Sequence, residues 1–368
     1  MTQLRLGQIT HFLRRSKFIL LATALLIGLC TFTFHFNLLS PSVLHAFEGQ
    51  MSTEQAFVDL QGDPNKYTFM ALLTPPSSEN DPYFNATRVL VHRLKHHPVT
   101  KSKYPIHIMV VRGVDEWKIR RLEADGASII MVDPISPSNM VVDVESMDHD
   151  VSKRYEHMFT KLRIFEQTQF DKLCVVDSDI LILKNIDDIF DTPYQGKPRT
   201  PVKTEQRRYK DPKDDSEHYF EENFEEYGAS IDDFYPYLLA AVSDRGEHHM
   251  IPPEPIGSFN AGMMLIRPSI EQFKRLLKIG AYPYKYENAH MMEQSLLNLA
   301  YEEHGWFPWT RVDPYYNGVW CSPDEYHHLK TAHGKFWNIG SSEFAPVYLA
   351  EWFRAYGEML AFHQYQTN

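Results

Sequence analysis

The chain has 368 residues, 43% of them hydrophobic, enough to bury a substantial core as one large domain or two small ones, which excludes a disordered chain. Four of the 37 basic residues (Arg5, Arg14, Arg15 and Lys17) precede the first acidic one, Glu48, so the remainder sets 33 basic against 48 acidic side chains, a net charge of −15. So acidic a surface repels nucleic acid and excludes it as the expected partner; an anionic substrate would need a metal ion or a few placed cations.

Residues 1–17 read as a short basic cytoplasmic tail. Residues 18–36 (FILLATALLIGLCTFTFHF) carry no fixed charge and, at about 1.5 Å per helical residue, match the roughly 30 Å of a bilayer core. The basic cluster before this stretch stays cytoplasmic, so the expectation is an N-terminal transmembrane signal anchor, single-pass and type II, with the bulk of the chain luminal. A cleaved signal peptide is the competing reading, because the purely apolar part, 18–29, is short. However, no small-x-small cleavage site follows, Ala46 being preceded by Leu44. Residues 37–65 mix Ser, Pro and Gly without a lasting period and read as a stem. Of the three cysteines, Cys30 falls in the anchor. Cys174 and Cys321 remain where a disulfide is allowed, and Cys174, inside a core strand, reads as a buried free thiol. The sequon at Asn85, Ala86 and Thr87 fits a luminal glycoprotein.

From residue 66 the pattern alternates. Strands are predicted at 67–74, 107–111 and 128–132, and helices at 82–97, with Val89, Leu90 and Leu94 on one side, and at 115–126. Apolar strands spaced by helices imply parallel crossovers, hence a doubly wound α/β sheet whose ligands bind beyond the carboxyl ends of the strands. A helix over 156–169, with Met158, Leu162 and Phe165 on one face, leads into KLCVVDSDILIL, a buried strand at 173–176 ending in two aspartates. Residues 191–255 read as an acidic, irregular insert. A strand follows at 259–266, then helices at 269–279, 289–301 and 345–361, with no internal repeat.

Asp177 and Asp179, separated by one residue at the end of a buried strand, face one crevice and can share a hard divalent cation. A metal there would neutralise a diphosphate leaving group. Spacing alone does not make a site: Asp148 and Asp150 have the same spacing in a polar stretch with no strand before them, where a turn or helix cap explains them. An Asp-x-Asp after a strand also suits phosphatases that attack phosphate with the first aspartate. Those sites usually open their domain and continue with Thr or Ser, whereas here a long luminal stretch precedes and Ile180 and Leu181 follow.

Several segments, in order, are similar to one family. FTKLRIFEQTQFDKLCVVDSDILILKNIDDIF (159–190), FNAGMMLIRPS (259–269), MEQSLLN (292–298) and HGKFW (333–337) together resemble the glycogenin-like retaining glycosyltransferases, family 8, in a fungal-type form, from about 66 to 340. The resemblance implies a Rossmann-like nucleotide-diphospho-sugar transferase fold of the GT-A type, with a mostly parallel sheet in a catalytic domain at 66–340 and a C-terminal helix in 341–368. It implies Mn2+ on Asp177, Asp179 and His333. Lys161, Asp177, Ser178, Asn260, Ala261, Gly262, Gly334 and Lys335 would line the nucleotide sugar, with Glu293 and Gln294 near the anomeric carbon. Two positions depart from the family pattern: Glu293 stands where the family usually has Asp, and the terminal motif is compressed to five residues. The implied activity is Mn-dependent, retaining transfer of a hexosyl unit (glucose, N-acetylglucosamine or galactose) from a UDP-sugar to a luminal glycan or glycoconjugate at the Golgi membrane. A metal-dependent phosphatase and a catalytically silent luminal binding protein of the same fold are the alternatives. The insert aromatics Tyr219, Phe220, Phe224 and Tyr227 have two readings: a cover over the acceptor side, in which case deleting the insert would impair transfer more than donor hydrolysis, or a solvated, partly mobile loop, which fits such an insertion at least as well.

Taken singly, these residues have ordinary readings. His333 is one of 18 histidines, Lys161 could be a helix-surface charge, and Gln294 a solvated helix residue. Their joint occurrence in order is what points to a site, and a histidine with two carboxylates is a sound manganese set.

Overall fold

The computed structural model describes residues 62–76, 81–140, 156–191, 207–210, 217–220, 222–281, 291–303, 305–340 and 343–366. The predicted tail, anchor and nearly all of the stem lie outside the described residues, as do Asp148 and Asp150. Among the described residues no helix is long and apolar enough to cross a membrane.

The chain enters β1 (Tyr67–Leu73) and then α1 (Pro82–Lys95). Helix α1 starts where the sequence supplies its caps: Pro82 occupies the first turn and the Asp81 carboxylate accepts the Phe84 amide. Then come β2 (Ile106–Val111), α2 (Glu116–Ala124), β3 (Ser128–Val132), β4 (Lys172–Val176) and β5 (Ile180–Ile182). A hairpin of β6 (Arg207–Lys210) and β7 (Glu217–Phe220) precedes β8 (Leu239–Ser243) and β9 (Phe259–Ile266). Helices α3 (Ile270–Gly280) and α4 (Glu293–Ala300), short strands β10 (Thr310–Arg311), β11 (Gly318–Val319) and β12 (Thr331–His333), and helix α5 (Pro346–Gln366) complete the described chain.

The main sheet has seven strands in the order β10-β8-β9-β4-β1-β2-β3. Strand β9 runs antiparallel to both of its neighbours and the other six run together, which is the mostly parallel, Rossmann-like sheet expected. Every residue of β4 and β9 is buried, as in strands covered on both faces. One face packs Met70, Met109, Val175 and Met264 under α3 and α4; the other packs Phe69, Ile108, Cys174 and Leu265 under α1. A small second sheet pairs β12 with β5 antiparallel, His333 opposite Ile180, and so lays His333 beside the chain that has just left Asp179.

The segment before β4 is a 3-10 helix, Met158–Glu166, where an α-helix was expected. Phe159, Leu162 and Phe165 are all fully buried, and their spacing of three suits three residues per turn rather than 3.6. Aromatic and β-branched residues (Phe159, Thr160, Ile164, Phe165) weaken the α alternative.

The stretch 191–255 is less of an insert than its composition suggests, because β8 is a buried strand of the main sheet. Its aromatics also differ from expectation. The Phe224 ring packs 5.4 Å from Phe234 and 5.0 Å from Trp306, and Tyr227 lies against Phe234, so both cover the core rather than an acceptor. The side chains of Tyr219 and Phe220 lie outside the described residues. Helix α5 packs Tyr348, Trp352, Ala355 and Met359 against Val89 of α1, and Glu351 and Glu358 sit 3.7 and 3.6 Å from the buried Arg93 guanidinium. Cys174 and Cys321 are both free, and burial pushes the Cys174 thiol pKa upward, so it is the inert thiol expected.

Candidate active site

The two aspartates sit in a turn at the carboxyl end of β4, clamped on both sides. The Asp177 amide donates to the Gly262 carbonyl of β9 at 2.8 Å, and the Asp179 carbonyl accepts from the Gly334 amide at 3.0 Å. Inside the turn, Ile180 N–H closes back on the Asp177 carbonyl at 3.0 Å. The peptide after β12 therefore meets the peptide after β4 directly, and His333 lands with its Nε2 3.2 Å from Asp179 Oδ1. One donor atom each from Asp177, Asp179 and His333 lie within 4.8 Å of one another.

Lys161, only 2% exposed, reaches the same point from the 3-10 helix. Its ammonium lies 2.6 Å from Asp177 Oδ1 and 3.6 Å from Glu293 Oε1, and donates to the Ala261 carbonyl at 2.8 Å. This is no helix-surface charge: burial disfavours the ammonium, yet Asp177 and Glu293 outweigh burial and hold its pKa above the ordinary lysine value. Burial pushes the Asp177 carboxyl up, with Lys161 opposing. Asp179 is also disfavoured by burial, but His333, Lys335 at 4.0 Å and Lys161 prevail and hold it well below the usual carboxylate range. His333 answers in kind: burial lowers its pKa, Asp179 raises it, and the rise prevails. Glu293, 4% exposed, is pushed up to about 7, by burial first and then by the opposing pull of Lys161 and push of Asp177. It opens α4 just after Met292, a fully buried residue held at φ +49°, a strained backbone that aims the carboxylate inward.

These residues fit a divalent cation. Two carboxylates and an imidazole form a hard-to-borderline donor set suited to manganese, and the buried His333 Nδ1 makes no hydrogen bond among the described residues. The His333 ring lies so close to Gly262 that a Cβ there would stand 2.7 Å from Nδ1. Among the described residues this is the one group of three or more His, Cys, Asp or Glu side chains arranged to hold a metal.

The profile of Glycosyl transferase family 8 matches residues 78–329, about two-thirds of the chain, and spans Lys161, Asp177, Asp179, Asn260 and Glu293. The chain is a member of glycosyltransferase family 8. An uncharacterized protein of Schizosaccharomyces pombe is 61% identical over 360 residues, 97% of each chain. Galactinol synthase 1 of Solanum lycopersicum is 24% identical over 205 residues, 55% of this chain and 52% of that one. The apo-form glycosyltransferase GlyE of Streptococcus pneumoniae aligns with 82% of this chain and 64% of its own at 15% identity, with a TM-score of 0.45.

In this family 8 glycosyltransferase, a second layer of amides fixes the strand beside the aspartates. Gln294 Oε1 accepts from Ala261 N–H at 3.0 Å, and Asn260 Oδ1 accepts from Gly262 N–H at 2.9 Å. Asn298 grips Phe259 at both backbone groups, accepting from its N–H at 2.7 Å and donating to its carbonyl at 2.8 Å. Two members of the network, Asp244 and Asn317, were not singled out in the sequence, and Asn298 entered only as the last residue of the 292–298 segment, with no role of its own. Asp244, just past β8, accepts from Gln294 Nε2 at 2.9 Å and Asn260 Nδ2 at 3.3 Å; Asn317, fully buried, donates to Asn260 Oδ1 at 2.9 Å. The available signal for Asp244 was the apolar run 238–242 before it, an unbroken buried stretch.

The structure thus gathers Lys161, Asp177, Asp179, Asn260, Ala261, Gly262, Glu293, Gln294, His333, Gly334 and Lys335 around one point. Ser178, between the two aspartates, is buried and its hydroxyl pairs with Thr87 Oγ1 of α1 at 2.8 Å, which anchors the turn to α1.

Proposed function

We propose that this glycosyltransferase moves a hexosyl unit, glucose, N-acetylglucosamine or galactose, from a UDP-sugar to a glycan or glycoconjugate with retention of anomeric configuration. Mn2+ held by Asp177, Asp179 and His333 is its cofactor. In the same reading residues 18–36 anchor the chain and the catalytic domain works in the Golgi lumen. The observation that carries the proposal is the convergence of Asp177, Asp179 and His333 within 4.8 Å at the carboxyl end of β4, with Lys161 ion-paired to Asp177.

A divalent ion on that triad supplies charge neutralisation to the diphosphate as it leaves. The chain's own residues do the rest. Lys335, with a half-exposed side chain near Asp179, is free to swing its ammonium onto a phosphate. Lys161 holds Asp177 and Glu293 in place, so neither carboxylate can turn away on its own. Glu293, with its pKa pushed up to about 7, is poised to exchange a proton or a hydrogen bond with a sugar hydroxyl near neutral pH. Gln294 and Asn260 fix the Ala261 and Gly262 peptides against which the donor would lie.

Incubating the purified chain with Mn2+ and a panel of UDP-sugars, with and without chelator, tests the reading. The expected result is metal-dependent UDP release and a product of retained configuration, abolished in Asp177→Ala and Asp179→Ala variants that remain folded. Undiminished turnover in those variants would sink it, and phosphate release from a monoester would favour phosphatase chemistry.

A further inference from the structure

Next to the amide network lies a buried ion pair that none of the roles above uses. Arg245, 7% exposed, meets the fully buried Glu325 with Nη1 3.0 Å from Oε1. Arg245 directly follows Asp244, just past β8. Its Nη2 donates to the carbonyls of Pro314 at 2.7 Å and Asn317 at 3.3 Å, in the loop between β10 and β11. Glu325 closes the 3-10 turn Pro323–Glu325, where its Oε2 accepts from the Ser322 amide at 3.0 Å and lies 3.0 Å from His249 Nε2. One guanidinium therefore ties together three stretches of chain.

Two of those stretches carry the residues that grip Asn260. On one side Asp244 accepts from Asn260 Nδ2 at 3.3 Å, and the Arg245 amide turns that carboxylate by donating to its Oδ1 at 3.1 Å. On the other side Asn317 Nδ2 donates to Asn260 Oδ1 at 2.9 Å, while the Asn317 carbonyl is one that Arg245 holds. The orientation of the Asn260 amide is forced, because Gly262 N–H, which can only donate, also meets Oδ1 at 2.9 Å. Asn260 thus turns its donor end to Asp244 and its acceptor end to Asn317, and it fits only while those two keep their spacing. Asp244 also accepts from Gln294 Nε2 at 2.9 Å, so the same spacing governs Gln294.

Stability does not account for this pair. The cost of desolvating two charges offsets most of their attraction, and apolar residues of similar volume are often as stable in such a place. What an arginine adds is a rigid fork that fixes a carboxylate and two carbonyls at once. Among the described residues neither Arg245 nor Glu325 bonds to Asp177, Asp179, His333 or Lys335, the groups on the metal and diphosphate side.

We infer that Arg245, paired with Glu325, is a positioning residue for the sugar half of the donor pocket: it sets the spacing of Asp244 and Asn317 around Asn260, and with it recognition of the sugar but not of UDP. This inference rests on the transferase reading and deepens it.

The test compares the full chain with an Arg245→Met, Glu325→Gln double variant, which removes both charges so that neither is left buried alone. Calorimetry in Mn2+ measures binding of UDP and of UDP-glucose, UDP-galactose and UDP-N-acetylglucosamine; donor KM and kcat for UDP release and a thermal melt accompany it. The positioning role predicts a wild-type melt and unchanged UDP affinity in the variant. It also predicts a loss of about tenfold in UDP-sugar affinity relative to UDP, matched by a similar rise in donor KM. Arg245→Lys keeps a cation beside Glu325 but gives up the fork. It should show a smaller loss of the same kind, and it carries the comparison if the double variant does not fold. Equal losses for UDP and UDP-sugars, or no loss for either, would overturn the inference. A wild type that releases no UDP from any of the three sugars would count against the transferase reading instead, and the binding ratios would still decide the positioning role.

Discussion

Gly262 is where one methyl group should separate folding from metal binding. A Cβ there would stand 2.7 Å from His333 Nδ1 and 2.8 Å from Asn260 Oδ1, closer than real Cβ atoms approach such neighbours. Neither neighbour can give way easily. Asn260 Oδ1 is held by the Gly262 amide itself and by Asn317, and the His333 backbone is fixed opposite Ile180 in the second sheet. The His333 ring is the lighter part to move, so Gly262→Ala should turn it out of the triad. Overpacking of this size costs about 1–3 kcal/mol, a loss of a few degrees in Tm for a domain of this length. The metal should suffer more, because one of its three side chains leaves; disturbing only the supports of a ligand already costs roughly 10–100-fold in affinity. Calorimetric titration of Mn2+ into the wild type and Gly262→Ala, with thermal melts of both, reads the two effects separately. Adding His333→Ala to Gly262→Ala should recover the lost stability and none of the lost affinity. Wild-type Mn2+ affinity in Gly262→Ala would refute the placement of His333 against that strand.

Two further expectations concern buried charge. Lys161→Met leaves Asp177 and Glu293 facing each other without a cation, and unpairing a buried charge costs about 3–5 kcal/mol. Glu293 already titrates near 7, above the ordinary glutamate value, so its folded form is least penalised at low pH. The destabilisation should therefore grow as pH rises from about 5 to 8 and shrink when Glu293→Gln is added; melts showing a pH-independent loss would contradict this. His92, 4% exposed and held neutral by burial and by His96, His363 and His97, titrates near 4 rather than 6.5. Its share of stability is complete above pH 6.5 and is lost as pH falls toward 4, at most about 3 kcal/mol. In unfolding measured between pH 4 and 7, His92→Phe should flatten that acid limb, and an unchanged limb would count against the reading.

The parts of this molecule that could be read in its sequence are those in which local pattern and tertiary role coincide. Strand β4 is continuously apolar because it is covered on both faces, and it ends in two charges, so the turn that could hold a metal announces itself at Asp177 and Asp179. Helix α1 was legible for the same kind of reason, with Asp81 and Pro82 marking its start. The 3-10 helix was not, because Met158, Leu162 and Phe165 satisfy an α spacing while Phe159, Leu162 and Phe165 satisfy the tighter one. Tertiary packing around Lys161 chooses between them. Strand β8 hid inside a stretch whose overall acidity suggested an irregular surface, and Asp244 was missed with it. Asn317 carries no sequence signal of its own, and Asn298, although it closes the 292–298 segment, shows no role there; both roles exist only once β9 lies beside α4 and the loop after β10. Ser178, flanked by two aspartates, pairs its hydroxyl with Thr87 on α1, a contact that no local pattern announces.

The central claim is that Asp177, Asp179 and His333 together hold the metal that holds the nucleotide diphosphate. Calorimetric titration of UDP into the purified chain, with Mn2+ and after chelation, tests it most directly. The account predicts saturable UDP binding that needs Mn2+ and is lost in Asp179→Ala, with the melting profile of the metal-free protein kept. UDP binding of equal affinity without metal, or undiminished in Asp179→Ala, would contradict it.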